Sequence, residues 1–207
     1  PELKVIARAG VGGGNIDVEY ATERGILVIN TPGKNTNSAA ELTMGLLLSA
    51  FRKIVPAHQS MQSLNWDRHR FNGGELMNKC LGIIGLGNVG HRVARYAKAF
   101  DMKVQAFDPY LADEVFERHG VQKVDWITLL NTSDVITFHV PLNDETRGMI
   151  SEMEIERMKP GVILLNTARG GVIDETSLLN ALHSGHVAAA GIDTWEVEPP
   201  RDNPFSQ

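Results

Sequence analysis

The feature that most constrains the fold is a glycine-rich turn between an apolar run and an amphipathic stretch. Residues 81–90 read LGIIGLGNVG, in which Gly85, Gly87 and Gly90 have the spacing G-x-G-x-x-G. At this spacing the first glycine permits a tight strand-to-helix turn, the second lets backbone amides approach a pyrophosphate, and the third allows close helix–strand packing. The pattern predicts a dinucleotide site at the N-terminus of the following helix.

An acidic residue further along the chain supports this interpretation and indicates which dinucleotide binds. About 20 residues beyond the glycines, a second apolar run ends at Asp108. A carboxylate at this point accepts hydrogen bonds from the adenosine ribose hydroxyls and repels a 2′-phosphate. Because no Arg or Lys closely follows Asp108, the sequence favours NAD over NADP. The alternative is a structural glycine turn, which would not require the acid.

From Lys79 onward, apolar segments alternate with amphipathic ones. The alternation predicts strands at 81–85, 103–107, 134–138, 162–166 and 187–192, and helices at 88–100, 111–119, 125–131, 151–158 and 174–183. Such an alternation is typical of an α/β fold with a doubly wound parallel sheet of the Rossmann type. Ser151 and Glu154 have the spacing of a capping box, and Asp174 is a predicted N-cap.

The upstream part of the chain predicts a small βαβ unit and a long helix. The unit comprises a strand at 3–7, a helix at 16–24 and a strand at 26–29. The spacing Ser38-x-x-Glu41 predicts a capping box for the long helix. Leu42, Leu46, Ala50 and Ile54 would share one face of it, as core or as a dimer surface. Residues 60–78 lose this periodicity and read as a surface segment.

Composition excludes several classes of partner. The 207 residues carry a net charge of −5 and no basic run, so we expect neither nucleic acid nor an anionic membrane surface as a partner. No apolar stretch is long enough for a membrane span. The single Cys80 has no CxxC or histidine-rich neighbour, which predicts no metal site, and a reducing cytoplasmic location is expected.

The chemistry is expected where the strands end. Ligands of doubly wound sheets bind outside the carboxyl ends of the strands, near the point where the strand order reverses. Three segments with polar or ionisable groups leave predicted strands at 138–142, 166–171 and 192–200. These segments are therefore the candidates for a site beside the glycine turn.

Taken in order, these segments resemble the signatures of the D-2-hydroxyacid dehydrogenase family. The matching motifs are Gly85-Leu86-Gly87-Asn88-Val89-Gly90, Asp108-Pro109-Tyr110, His139-Val140-Pro141-Leu142, Asn166-Thr167-Ala168-Arg169-Gly170-Gly171, Gly191-Ile192-Asp193 and Glu198-Pro199-Pro200. Upstream, Arg8-Ala9-Gly10-Val11-Gly12, Asn30-Thr31-Pro32 and Ser38-Ala39-Ala40-Glu41-Leu42 extend the resemblance over nearly the whole chain. It implies that residues 1–33 are the C-terminal remnant of a substrate-binding domain and that residues 34–207 are an NAD-binding domain with a long junction helix.

The resemblance also implies an activity and roles for individual residues. The family transfers a hydride between C4 of the nicotinamide and C2 of a small 2-hydroxy or 2-oxo acid. Arg169 would hold the substrate carboxylate, a task that suits a planar bidentate cation. Glu198 would orient a catalytic histidine, and Asp193 would contact the nicotinamide carboxamide.

Further residues are carried over as contacts of the cofactor or the substrate. The implied cofactor contacts are Val11, Gly85, Gly87, Asn88, Val89, Gly90, Asp108, His139, Val140, Pro141, Thr167, Ala168, Arg169 and Asp193. The implied substrate contacts are Arg8, Gly10, Asn35 and Arg68, and no metal ligand is implied.

Two stretches, around Arg8 and around Arg68, most resemble the branch of the family that oxidises 3-phosphoglycerate to 3-phosphohydroxypyruvate in serine biosynthesis. In that branch the matching arginines help to hold the substrate phosphate, the second of them across a homodimer. A solvated structural role for Arg68 is an equal alternative. Two other functions stay open: a glyoxylate or hydroxypyruvate reductase, and an NAD-sensing binding protein like the corepressors built on this scaffold.

One expected residue has no match in the sequence. The family's catalytic histidine lies in a Pro-His-x-Gly stretch beyond the Glu-Pro-Pro motif, so we expect it after Gln207 and interpret the chain as truncated at both ends. None of the seven histidines fits that position, and His139 reads as a wall of the cofactor pocket. We therefore expect the chain to bind cofactor with little turnover by itself.

Overall fold

A computed structural model describes residues 2–12, 16–200 and 205 of the chain. The chain divides into two compact units, Pro1–Ala39 and Ala40–Gln207. This division falls inside a helix, whereas the sequence places the domain boundary in the turn before it. The assignment of residues 1–33 to a separate domain therefore stays a prediction.

The N-terminal unit contains the predicted βαβ arrangement. Strands β1 (Val5–Ala7) and β2 (Leu27–Ile29) pair in parallel, and helix α1 (Val18–Glu23) connects them. The Asp17 side chain caps α1 by accepting a 2.9 Å hydrogen bond from the Tyr20 N–H. These bounds agree with the prediction to within two residues at each end.

The long helix begins earlier than the sequence indicated, and it is broken. Helix α2 spans Thr36–Arg52, and α3 spans Ile54–Gln62. The predicted capping box of Ser38 and Glu41 is therefore wrong, because Ser38 lies inside the first turn of α2. The Asn35 carbonyl accepts the first helical hydrogen bond, from the Ala39 N–H, at 3.0 Å. Lys53, with φ 51°, separates the two helices.

The predicted apolar face of this helix lies only partly in the core: Leu46 and Ala50 pack against it, and the alternative of a dimer surface stays a prediction. Leu42 is 41% exposed and Ile54 is 51% exposed, whereas Ala40, Met44 and Leu47 are buried. The helix carries apolar residues on two faces, so spacing alone could not identify the one that packs on the sheet. The break at Lys53 also removes Ile54 from the face to which it was assigned.

The second unit is built on a six-stranded, entirely parallel sheet. Its strands are β3 (Cys80–Ile84), β4 (Lys103–Phe107), β5 (Gln122–Lys123), β6 (Val135–Phe138), β7 (Val162–Asn166) and β8 (Val187–Ile192). Their order in the sheet is β5-β4-β3-β6-β7-β8. The doubly wound α/β prediction is confirmed, and the order reverses between β3 and β6, where such sheets bind ligands. Only β5 was missed, because two polar residues carry no periodicity.

Helices cover both faces of this sheet. They are α4 (Gly90–Lys98), α5 (Asp113–His119), α6 (Trp126–Thr132), α7 (Glu152–Arg157) and α8 (Glu175–Ser184). Side chains of α2, α4 and α5 form one core with the sheet, and those of α6, α7 and α8 form the other. The predicted capping box of Ser151 and Glu154 and the N-cap at Asp174 are both confirmed. Within the described residues, no helix has the length and apolarity needed to cross a lipid bilayer.

Candidate active site

The three glycines of the turn after β3 differ in their surroundings. Gly85 has φ +90°, and a Cβ there would lie 2.7 Å from the His139 carbonyl oxygen. A Cβ on Gly90 would overlap the Gly85 carbonyl oxygen, so this glycine permits the close approach of α4 to the strand. Gly87 has no atom within 4 Å of its Cβ position and therefore faces open space. The three glycines thus differ as predicted: Gly85 permits the tight turn, Gly87 leaves space for a ligand to approach, and Gly90 permits close packing.

The Asp108 carboxylate is fixed at the end of the neighbouring strand β4. One of its oxygens accepts a hydrogen bond from the Leu86 N–H, and the other accepts from the Tyr110 N–H, both at 3.0 Å. The first bond ties the carboxylate directly to the glycine turn, and the second ties it to its own loop. Two backbone donors therefore hold the acid in one orientation beside the turn.

A cavity of about 370 Å³ opens between these two strand ends and the end of β6. Six of its lining residues are predicted cofactor contacts: Gly85, Gly87, Asp108, His139, Val140 and Pro141. The lining also includes residues that the sequence analysis missed: Ile84, Phe107, Pro109, Tyr110, Asn143, Glu145, Thr146 and Met149. The cavity lies at the reversal point of the strand order and has the largely apolar walls that suit a flat heterocycle.

The missed part of the cavity comes mainly from the loop after β6. The Thr146 hydroxyl donates a 2.6 Å hydrogen bond to the Pro141 carbonyl, and the Asn143 side chain accepts from the Thr146 N–H at 3.0 Å. Tyr110 reaches across and donates its hydroxyl hydrogen to Glu145. This hydrogen bond is the largest cause of the raised pKa of Tyr110. The Asn-x-x-Thr turn signal was present in the sequence, but its position at the cavity depends on the sheet order.

His139 forms one wall of the cavity. Burial lowers the pKa of His139 to about 3, so its imidazole is neutral near pH 7. The ring Nε2 lies 3.0 Å from the hydroxyl oxygen of the buried Thr137. The site therefore contains a neutral polar ring at this wall and no positive charge from His139.

A second cluster of predicted residues follows β7 and is held by a buried asparagine. The Asn166 side chain donates to the Arg169 carbonyl at 2.8 Å and accepts from the Ala168 N–H at 3.1 Å. Its own carbonyl accepts a 3.0 Å bond from the Asp193 N–H. Asn166, which is 3% exposed, thus joins two predicted site segments. It was not predicted as a site residue, although an amide after an apolar strand is a recognisable signal.

Two further contacts shape this cluster. The Thr167 hydroxyl oxygen lies 2.8 Å from that of Thr43 in α2. The Arg169 side chain is exposed, and its Nη1 donates a 2.6 Å hydrogen bond to the Ala168 carbonyl. The guanidinium is therefore at the surface of the loop, where a carboxylate can reach it.

The loop after β8 crosses the loop after β7 at a glycine. A Cβ on Gly170 would overlap the carbonyl of Trp195, so only a glycine permits this crossing. Beyond it, the exposed Glu198 accepts a 3.1 Å hydrogen bond from the Trp195 N–H. The crossing brings the loops that carry Arg169 and Glu198 into contact.

The remaining predicted residues are described within their own units. In the N-terminal unit, the Gly10 N–H donates to the Arg8 carbonyl at 3.0 Å, and the Asn30 side chain donates to the Val11 carbonyl at 3.0 Å. Asn35 directly precedes α2, and its carbonyl accepts the first helical hydrogen bond. Arg68 is exposed in a surface turn of the second unit.

Comparisons with known proteins give one family. Residues 44–207 match the model of the D-isomer specific 2-hydroxyacid dehydrogenase, NAD binding domain. The chain is 52% identical over 204 residues to a D-3-phosphoglycerate dehydrogenase of Archaeoglobus fulgidus, covering 98% of this chain and 39% of that protein. It is 50% identical over 200 residues to a hydroxypyruvate reductase of Thermotoga maritima, covering 97% of this chain and 64% of that protein.

A solved structure of similar fold also comes from a D-isomer-specific dehydrogenase. The chain is similar to a D-lactate dehydrogenase of Aquifex aeolicus in complex with NAD and lactic acid, with a TM-score of 0.85 and 37% identity. The match covers 95% of this chain and 59% of that one. The chain thus spans about two fifths of the length of the phosphoglycerate dehydrogenase that it matches.

Proposed function

Because the chain belongs to the D-isomer-specific 2-hydroxyacid dehydrogenase family and carries its NAD-binding domain, we propose that it provides the cofactor site of an enzyme that oxidises 3-phosphoglycerate. The product would be 3-phosphohydroxypyruvate. One observation carries the proposal: a cavity at the reversal of the strand order, with the Asp108 carboxylate fixed beside an open glycine turn. The 52% identical relative supports this choice of substrate.

The residues of the second cluster would bind the substrate and orient the reacting groups. Bound NAD would accept the substrate hydride at C4 of its nicotinamide. The Arg169 guanidinium would leave the Ala168 carbonyl and hold the substrate carboxylate through two charge-assisted hydrogen bonds. Glu198 would orient the proton-accepting histidine of the complete enzyme, and Asp193 would bind the carboxamide of the cofactor. Asn166 would keep both loops in register while the substrate enters.

The cofactor site is tested by calorimetric titration of the chain with NADH and with NADPH. We expect NADH to bind more tightly, because the Asp108 carboxylate repels a 2′-phosphate. In Asp108→Asn, the ratio of the Kd for NADPH to the Kd for NADH should fall by roughly tenfold, since a hydrogen bond to a charged group contributes about 1.5–3 kcal/mol. Asp144→Asn, which removes an exposed acid from the nearby loop, is the matched control. Equal affinities in the unaltered chain would contradict the proposed role of Asp108.

The substrate is tested in the full product of the gene that encodes this chain. A hydroxypyruvate reductase is the second candidate, because a 50% identical relative has that activity. A phosphorylated substrate needs a cation that an unphosphorylated acid does not need, and Arg8 is the proposed cation. We expect Arg8→Ala to raise KM for 3-phosphoglycerate at least tenfold, while Arg24→Ala leaves it unchanged. An unchanged KM in Arg8→Ala would favour the reductase.

We also propose that the protein is a homodimer or a higher homo-oligomer. The stretch 54–66 exposes several large apolar side chains, including Leu64 at 90% and Trp66 at 78%. Exposed apolar groups of this size often mark association surfaces. Sedimentation of the unaltered chain and of a Leu64→Ser, Trp66→Ser double variant tests this. A monomer in both cases would overturn the proposal.

We further propose that the protein works in the cytoplasm. The free Cys80 is half-buried in β3, and its thiol suits a reducing compartment. Fractionation of cells that express the tagged gene product tests the location, and recovery in a secreted or membrane fraction would contradict it.

A further inference from the structure

The first two side chains of α4 that can form hydrogen bonds point back onto the glycine turn. His91 Nδ1 lies 2.8 Å from the Gly87 carbonyl oxygen. Arg92 Nη1 donates to the Asn88 carbonyl at 2.9 Å and lies 3.0 Å from His91 Nε2. Two neighbouring side chains therefore hold two consecutive carbonyls of the turn and also contact each other.

The partners determine which nitrogen of His91 carries the proton. The Gly87 carbonyl can only accept, so Nδ1 must donate to it. The Arg92 guanidinium can only donate, so Nε2 must accept. A neutral ring with its proton on Nδ1 therefore satisfies both contacts. The result is a continuous chain of hydrogen bonds from Gly87 through His91 and Arg92 to Asn88.

Holding these carbonyls also orients the amides on the other side of the same peptide groups. A trans peptide is planar, so its N–H points away from its C=O. The Gly87 carbonyl shares a peptide group with the Asn88 N–H, and the Asn88 carbonyl shares one with the Val89 N–H. Both amides lie at the start of α4, where N–H groups have no intrahelical acceptor. They are therefore directed away from His91 and Arg92.

The His91 ring is itself supported from the next helix. It stacks on His119, the last residue of α5, with ring centroids 4.6 Å apart and an interplanar angle of 15°. The stack limits rotation of the His91 ring, and the hydrogen bond from Arg92 limits it further. The two carbonyls are thus held by side chains that also contact the neighbouring helix α5.

We propose that His91 and Arg92 are positioning residues for the cofactor pyrophosphate, because they aim the amides of Asn88 and Val89 at it. Hydrogen bonds that polarise a carbonyl also strengthen the N–H of the same peptide as a donor. This inference rests on the proposed cofactor site at the glycine turn. It assigns a role to two side chains outside the G-x-G-x-x-G spacing.

The test compares ligands with and without the pyrophosphate. His91→Phe keeps the ring on His119 and removes both hydrogen bonds. We expect it to weaken NADH and ADP-ribose roughly tenfold, the size of one lost oriented hydrogen bond to a charged group. Adenosine, measured by competition, should bind as it does to the unaltered chain. A purely structural role for His91 would weaken all three ligands together.

Two conservative variants of His91 distinguish its contact through Nδ1 from its contact through Nε2. The amide nitrogen of His91→Asn occupies nearly the position of Nδ1 and can still donate to Gly87, so we expect near-normal affinity for ADP-ribose. The side chain of His91→Gln reaches the position of Nε2 instead, so its binding should stay weak. Arg92→Gln should weaken ADP-ribose, whereas Arg95→Gln, on the exposed side of the same helix, should not.

The controls distinguish failure of this inference from failure of the proposed function. His183→Phe makes the same change at an exposed position of α8 and should alter no affinity. If the unaltered chain binds neither NADH nor ADP-ribose, the proposed cofactor site is wrong, and this inference fails with it. If it binds both and His91→Phe binds them equally well, only the positioning role is overturned.

Discussion

Two turns of the second unit leave neighbouring parts of one parallel sheet, but they are built differently. The turn after β3, residues 85–90, offers backbone amides, and its shape follows from glycines and from side chains close in sequence. The turn after β7, residues 166–171, offers side chains. Its shape follows from the buried Asn166 and from the distant loop that crosses it at Gly170.

The two turns are sensitive to different kinds of substitution. A backbone site survives most side-chain changes and is sensitive to any atom that enters the space of the ligand. A side-chain site depends on contacts between segments that are far apart in sequence, so changes at a distance can displace it.

The largest effect is expected at the crossing of the two loops. In Gly170→Ala, the added Cβ would overlap the Trp195 carbonyl, so one backbone segment must move. We expect a loss of about 3 kcal/mol in the free energy of unfolding, at the upper end of overpacking effects. Urea unfolding measures it, with Gly87→Ala as the control, because Gly87 has open space at its Cβ position and, like Gly170, no positive φ. A loss no larger than that of the control would remove the crossing as a determinant of the site.

A smaller loss is expected when the asparagine beneath the second turn is removed. Asn166→Ala leaves the Ala168 N–H and the Arg169 carbonyl without their buried partner, at a cost of about 1–3 kcal/mol. Asn166→Asp keeps the acceptor and loses the donor, so thermal unfolding should place it between the alanine variant and the unaltered chain. Equal stability of all three would mean that Asn166 does not hold the turn.

The sequence predicted the sheet well because its signals are local. Each of the strands β3, β4, β6, β7 and β8 is an apolar run, and each following helix has its own apolar period, so the bounds agree to within about two residues. The predictions were wrong where one local sequence pattern was compatible with two structures. The helix of residues 36–52 has apolar side chains on two faces, and Asn35 competes with Ser38 as its cap.

The side of the candidate site formed by the glycine turn and Asp108 was predictable for the same reason, and the rest was not. Glycine spacing and the acid at Asp108 identify one wall of the cavity from sequence alone. The opposite wall, with Tyr110, Glu145 and Thr146, exists only because the ends of β4 and β6 flank β3. The role of Asn166 could not be predicted either, because it depends on the packing of the loop after β8 beside it.

His139 allows the environment of the first turn to be tested through pH. Its pKa is lowered to about 3, whereas an unfolded histidine titrates near 6.5. Between these values the unfolded state binds more protons, so the stability contributed by His139 is complete above pH 6.5 and decreases as pH falls toward 3. At pH 5.5 the loss should be about 1.4 kcal/mol relative to His139→Gln. Urea unfolding at pH 7.5 and 5.5 measures it, with His183→Gln as the exposed control.

An identical pH dependence in His139→Gln and in the unaltered chain would mean that the ring reaches solvent in the folded state. The difference between the two proteins isolates this residue, because the carboxylates with lowered pKa values, such as Asp134 and Glu154, are common to both.

The smallest change in stability is expected at the centre of the first turn. Gly87→Ala places its Cβ in open space, so the free energy of unfolding should stay within about 0.5 kcal/mol of that of the unaltered chain. The same methyl group would enter the space through which a pyrophosphate approaches the backbone, and NADH affinity should fall by roughly tenfold or more. Calorimetry and urea unfolding of one preparation separate the two effects. Unchanged NADH affinity would show that the cofactor does not pass over Gly87. The first turn could then not be contrasted with the second as a site that binds through its backbone.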